Sequence, residues 1–107
     1  MKTRQWEIWK AKPVGFEKAH WFVILSGQER LDSNRNAINA LACYTLRGEK
    51  KPVDVVLNGA DGFDHATICQ CDHIFSLDKN ALGDPLGPIS WERQQQIKSK
   101  LKEVFRL

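Results

Sequence analysis

The sequence predicts a mainly β domain: a small, partly open barrel of about five short strands, capped by one C-terminal helix. Three observations predict it. Short apolar runs, none longer than the five residues Trp21–Leu25, are separated by turn chemistry through most of the chain. β-Branched and aromatic residues fill those runs. Only after Ser90 does the apolar spacing become helical, with Ile97, Leu101, Val104 and Phe105 on one face. A sheet of such short strands must curl to form a core, because a flat one leaves its edges exposed.

The elements follow in order. Trp6-Glu7-Ile8-Trp9 alternates weakly and reads as a strand. Pro13 and Gly15 punctuate a loop over residues 12–18. Trp21–Leu25 reads as a buried central strand ending at Ser26-Gly27. Residues 28–36 are polar and read as a long loop. Ile38–Leu46 is the next strand, residues 47–52 a hairpin connection, and Val53–Leu57 another strand. Asn58-Gly59 is a strong turn dipeptide that Asp61-Gly62 extends. Ala66–Phe75 is a further extended run. Gly83, Pro85, Gly87 and Pro88 keep residues 79–88 from forming a lasting regular element. Ser90 then suits a helix N-cap, Glu92 complements the dipole of the first turn, and the helix spans Trp91–Phe105.

At 107 residues the chain is expected to be a single domain over 1–107. Hydrophobic residues at 42% and charged ones at 27% argue against wholesale disorder. No apolar run approaches the ~20 residues of a membrane helix. The charged start Met1–Glu7 has no apolar core of the secretory type, so the expected compartment is the cytoplasm. Three cysteines, an odd number, do not make a disulfide framework and fit a reducing compartment. A net charge of +3 permits a phosphate-bearing partner without demanding one.

Few residues carry chemistry. Cys69-Gln70-Cys71-Asp72-His73 invites a metal reading. On one extended strand, however, Cys69, Cys71 and His73 share a face at ~3.3 Å per residue and do not converge on a tetrahedral ion. Thiols packed in a barrel wall are the expectation. Asp72 interrupts an apolar run and needs a partner or water; it is either a rim carboxylate or a positioning group. His20, at a loop–strand junction, is either a surface residue or a proton-transfer group, with Glu17 as its partner or simply solvated. Thr45 is either an ordinary strand residue or a hydroxyl donor to a phosphate oxygen. Arg47, Lys50 and Lys51 make a loop that is either solvated or tracks a phosphodiester backbone. The tryptophans at 6, 9, 21 and 91 read as core or interface anchors; an exposed one could stack on a base.

The ordered set of segments resembles the PemK/MazF/Kid family of small bacterial toxins from toxin–antitoxin systems. The resemblance runs through Trp6-Glu7-Ile8-Trp9, the stretch from Gly15 to Ser26, and Cys43-Tyr44-Thr45-Leu46. It continues through Cys71–Lys79 with Leu82-Gly83, and the Gly87-Pro88-Ile89-Ser90 step into the helix. It covers nearly the whole chain.

That resemblance implies an SH3-like, partly open barrel of five to six strands with a C-terminal helix, the CcdB/Kid/MazF-type fold, acting as a homodimer. It implies a metal- and cofactor-independent endoribonuclease cutting single-stranded RNA at short sequences. The 2′-hydroxyl attacks the adjacent phosphate and leaves a 2′,3′-cyclic phosphate and a 5′-hydroxyl. It also implies a cognate antitoxin peptide. Thr45 corresponds to the pocket threonine, Asp72 to a pocket carboxylate of some members, and Glu17 to a first-loop acid of others. Lys18, Arg47, Lys50 and Lys51 would contact the RNA backbone. His20 departs from the pattern, since most active members have arginine there. Imidazole can shuttle a proton, but it lacks the forked, permanent charge. The alternative function is therefore a weakened or inactive module of the same fold, binding RNA, an antitoxin peptide or a protein target such as gyrase, as CcdB-type relatives do.

Overall fold

A computed structural model describes residues 2–107. Six strands form one antiparallel sheet: β1 (Glu7–Ala11), β2 (His20–Ile24), β3 (Ala37–Thr45), β4 (Asp54–Leu57), β5 (Thr67–Asp78) and β6 (Leu82–Pro88). Their spatial order is β4-β5-β3-β2-β1-β6. A short helix, α1 (Gln28–Asp32), follows β2, and a long one, α2 (Trp91–Phe105), closes the chain. Among the described residues no helix is long and apolar enough to cross a membrane.

The sheet is covered on both faces, which explains the unbroken apolar runs of its central strands. On β2 and β3, Val23, Leu41 and Cys43 face one core, while Phe22, Ile24, Ala40 and Ala42 face another. The first core is closed by Ile97 and the half-buried Leu101 of α2, with Phe63 and Ile89. Leu31 of α1, Leu77 and the half-buried Phe16 and Phe75 close the second. The Ser90 hydroxyl accepts from the Arg93 N–H at 3.2 Å, so the helix begins where its cap predicts. Its apolar stripe is narrower than expected, because Phe105 stays 41% exposed.

Two segments correct the sequence reading. Residues 28–36 are not all loop, for α1 occupies the first five. One turn is too short to show helical periodicity, and a single residue, Leu31, is what it buries. Residues 82–88 form β6 despite two prolines. That strand lies at the sheet edge, pairing only with β1 and with register shifts, where a missing N–H is tolerated.

A third difference lies within β5. Leu41 pairs with Ile74, whereas Cys43 pairs with Cys69. Residues 70–73 of β5 thus stand opposite Ala42 alone, and the strand kinks there. The Cys71 N–H turns instead to the Val53 carbonyl at 3.1 Å. Strict alternation fails at this bulge. Cys69 and Cys71 are buried as expected of packed thiols, but Asp72, His73 and Ile74 are all exposed. His73 does not share the buried environment of the two cysteines.

Candidate active site

The antiparallel register of β2 and β3 sets Trp21 opposite Cys43. His20 therefore lies beside Tyr44, their ring centroids 5.2 Å apart, and Thr45 follows at the end of β3. On the other side of β3, Thr45 pairs with Thr67, the first residue of β5. The loop leading into β5 thus delivers His65 next to Thr45.

That loop is built from its own sequence. Asn58 caps a single 3-10 turn, its side chain accepting from the Ala60 N–H at 3.0 Å. The Asp61 carboxylate returns a bond to the Asn58 N–H at 2.9 Å. Gly62 then reverses the chain at φ +96, a left-handed value that glycine adopts without cost. Phe63 buries its ring edge-on to Trp21, with centroids 6.4 Å apart. The loop tip is thereby held against the wall that carries His20.

The result is an open cleft of about 540 Å³ lined by His20, Tyr44, Thr45, Arg47, His65 and the aromatic floor of Trp21 and Phe63. Thr45 Oγ1 lies 3.2 Å from His65 Nε2, and the Asp64 carboxylate meets His65 Nδ1. A carboxylate only accepts, so Nδ1 carries the proton, and in the neutral ring Nε2 presents a lone pair to the threonine hydroxyl. Burial, and secondarily the neighbouring Cys43 thiol, raises the pKa of Tyr44, so its hydroxyl stays protonated and able to donate.

The structure brings together three of the residues picked from the sequence: His20, Thr45 and Arg47. Lys51 lines a neighbouring hollow that shares Thr45 and Arg47 with the cleft. Lys50 faces a groove between β4 and α2. Glu17 and Lys18 are exposed on the loop before β2 and do not line the cleft. Nor does Asp72, which is exposed at the β5 bulge. Sequence reasoning missed His65 and its partner Asp64. The signal was present: Asp64-His65 sits at a loop–strand junction, as His20 does. Among the described residues, no three His, Cys, Asp or Glu side chains are grouped as ligands for a metal ion.

A run of rings continues outward from the cleft. His20 contacts Phe16 with centroids at 5.2 Å, Phe16 contacts Phe75 at 5.6 Å, and the exposed His73 stacks on Phe75 at 4.1 Å. The cleft is thus continuous with an aromatic ribbon that ends beside Asp72.

Residues 4–105 match the PemK-like, MazF-like toxins of type II toxin–antitoxin systems. The chain belongs to that family. Among curated proteins none matches it in sequence. Solved structures match its fold. An endoribonuclease in complex with its cognate antitoxin, from a mycobacterial species, is 21% identical at a TM-score of 0.81, with 99% of this chain and 95% of that one covered. The Mycobacterium tuberculosis toxin MazF-mt6 is 18% identical at 0.80, covering 94% and 97%. The MazE–MazF structure from Deinococcus radiodurans (Form-III) is 16% identical at 0.81, covering 100% and 99%. At these identities the likeness is one of architecture. The expected mainly β barrel-like toxin fold with its C-terminal helix is the fold observed.

Proposed function

We propose that this PemK-like toxin is an endoribonuclease that cleaves single-stranded RNA through a 2′,3′-cyclic phosphate. One observation carries the reading: His20, Thr45 and Arg47 open onto a single solvent-accessible cleft. Transesterification at phosphorus needs proton transfer and donors to the charge that builds on the phosphate oxygens. His20 is the proton-transfer group in this reading. The Thr45 hydroxyl donates to a non-bridging oxygen, and Arg47 supplies permanent positive charge at the mouth. The aromatic ribbon from Phe16 to His73 supports a single-stranded substrate, whose unpaired bases have faces free to stack. Lys51, in the hollow beside the cleft, contacts the RNA backbone in this reading, and Lys18 and Lys50 contact it farther from the scissile bond. Glu17 and Asp72 stand outside it, so their part is on RNA flanking the scissile bond.

Family membership supports three further elements of the proposal: a homodimer, a cytoplasmic site of action, and a cognate antitoxin peptide that silences the toxin. The test of the activity is incubation of the purified protein with a long mixed-sequence RNA in EDTA. Cuts are mapped by primer extension, with Thr45→Ala as control. Discrete cuts that vanish in the variant are expected. Intact RNA, with a folded protein, would overturn the reading in favour of a non-catalytic module of the same fold.

A further inference from the structure

Two histidines line the cleft that holds Thr45, carried by the two strands that neighbour β3 in the sheet. His20 starts β2, on one side of β3, with its ring against Tyr44 and Phe16, and His65 lies two residues before β5, on the other, against Thr45. Two strand spacings, roughly 9–10 Å, separate those neighbours. A phosphate held by the Thr45 hydroxyl would meet the His65 imidazole directly, with His20 elsewhere along the lining of the same cleft. In-line displacement at phosphorus calls for a proton-transfer group on each side, because the attacking and leaving oxygens stand on opposite sides of the phosphorus atom.

The two imidazoles are not equivalent. His65 has its Nδ1 proton engaged by Asp64, which leaves the Nε2 lone pair directed at the Thr45 hydroxyl at 3.2 Å. That distance is within the reach of a general base. The side chain is 50% exposed and lines the cleft. Its loop is nevertheless fixed, through Phe63 in the core and the Asp61–Arg93 pair. Among the described residues no carboxylate is bonded to His20, whose ring instead lies edge-on between Phe16 and Tyr44.

We propose that His65, oriented by Asp64, is a second catalytic residue of this cleft: the base for the 2′-hydroxyl, with His20 as the acid. The proposal rests on the RNA-cleavage reading above. The substrate 2′-hydroxyl takes the place of Thr45 at Nε2, which frees the threonine to donate to the phosphate. The 2′-oxygen bonds to phosphorus as its proton passes to His65 Nε2. The bond from phosphorus to the 5′-oxygen breaks, and that oxygen takes a proton from the His20 imidazolium. One proton is gained and one lost, and the products are the cyclic phosphate and a 5′-hydroxyl.

The test uses a short RNA containing a mapped cut site, made in two forms. One is natural; in the other, sulfur replaces the 5′-oxygen at the scissile bond. A thiolate leaves without being protonated, so loss of the acid is forgiven and loss of the base is not. His65→Ala is expected to slow cleavage of both forms by about a hundredfold or more. His20→Ala is expected to slow only the natural form. Asp64→Asn, at a side chain 94% exposed and so safe for folding, is expected to lower kcat on both forms with KM unchanged. Thermal melts establish that each variant is folded. A folded His65→Ala variant with wild-type rates would overturn the proposal and leave the RNA reading intact. A His65→Ala defect that disappears on the sulfur form would overturn the role as base. A folded wild-type protein that cuts neither form would overturn both readings together.

Discussion

Arg93 Nε lies 3.1 Å from Oδ2 of Asp61, a carboxylate whose side chain is 1% exposed. The first turn of α2 thereby clamps the loop that carries His65 to the cleft. The same oxygen accepts from the Asn58 N–H, while Oδ1 is buried with no hydrogen-bond partner among the described residues. The carboxylate depends on very few contacts, and the loop's geometry depends on the carboxylate.

Removing the guanidinium should therefore be costly. Arg93→Met keeps much of the side-chain bulk and leaves a buried charge unpaired, a change worth about 3–5 kcal/mol. A shift of that size is expected in the urea-unfolding free energy. An unchanged midpoint would show that the pair does not hold the loop.

Gly62 gives a second handle on the same loop. A Cβ there would meet Leu86 Cγ at 3.0 Å and would sit at φ +96. Gly15 has nearly the same angle, φ +93, with nothing within 4 Å of the added carbon. Gly15→Ala should cost only backbone strain, roughly 1–2 kcal/mol. Gly62→Ala should cost more and should also slow RNA cleavage by displacing His65. Equal losses of stability in the two variants would remove Leu86 from the account.

How much of this was legible in the sequence follows from what each signal measures. The helix from Trp91 was readable because its cap, Ser90, and its buried face, Ile97 and Leu101, are local. The strands at 21–25 and 38–46 were readable because burial on both faces leaves a continuous apolar run. β6 was hidden because its edge position, known only from topology, is what excuses Pro85. α1 was hidden because one turn carries no period. In the cleft, His20 and Thr45 could be picked from strand ends and a family resemblance. His65 shares the loop–strand position of His20, but its meeting with Thr45 depends on the Thr45–Thr67 register and on a turn closed by Asp61, which the sequence does not display. Asp72 stood out in the sequence, but the β5 bulge carries it away from the cleft.

The cleft residues make separable predictions about rate. Thr45→Ala removes a preorganised donor and should lower kcat by about 10²–10³, with the fold unchanged. His20→Arg restores permanent charge but abolishes the acid of the proposed pair. If charge is what this cleft lacks, cleavage rises; if His20 is the acid, cleavage of natural RNA falls. The two-histidine arrangement predicts the fall. Single-turnover kinetics on one mapped site decides between them.

The aromatic ribbon bears on affinity more than on chemistry. His73 is exposed and lies flat on Phe75 at 4.1 Å, outside the cleft. Stacking of one base on such a ring is worth about 1–3 kcal/mol. His73→Ala should therefore raise the Kd for a single-stranded RNA carrying a 2′-deoxy block at the cut site by roughly five- to a hundredfold. Unchanged affinity in a direct binding titration would remove the far end of the ribbon from the binding surface.

The barrel wall behind the cleft makes the molecule sensitive to alkali. Hydrogen bonds with the Cys43 and Cys71 thiols, followed by complete burial, push the Cys69 thiol well above its ordinary value of 9.0. Tyr44 is raised from 10.0 by burial and then by Cys43. The sign follows from which state holds the proton. Above pH 9.0 the unfolded chain releases the Cys69 proton while the folded chain keeps it, so the unfolded state gains. This contribution is fully present below that pH and is lost as pH rises toward the folded value, with Tyr44 adding its share above 10.0. Urea midpoints on either side of pH 9.0 should fall in the wild type. Cys69→Ala should begin lower, because it opens a small cavity, yet decline less between pH 9.0 and 10.0, since the Cys69 thiol is gone and Tyr44 contributes above 10.0. Parallel declines in the two proteins would mean that the Cys69 thiol is not what couples this fold to alkaline pH.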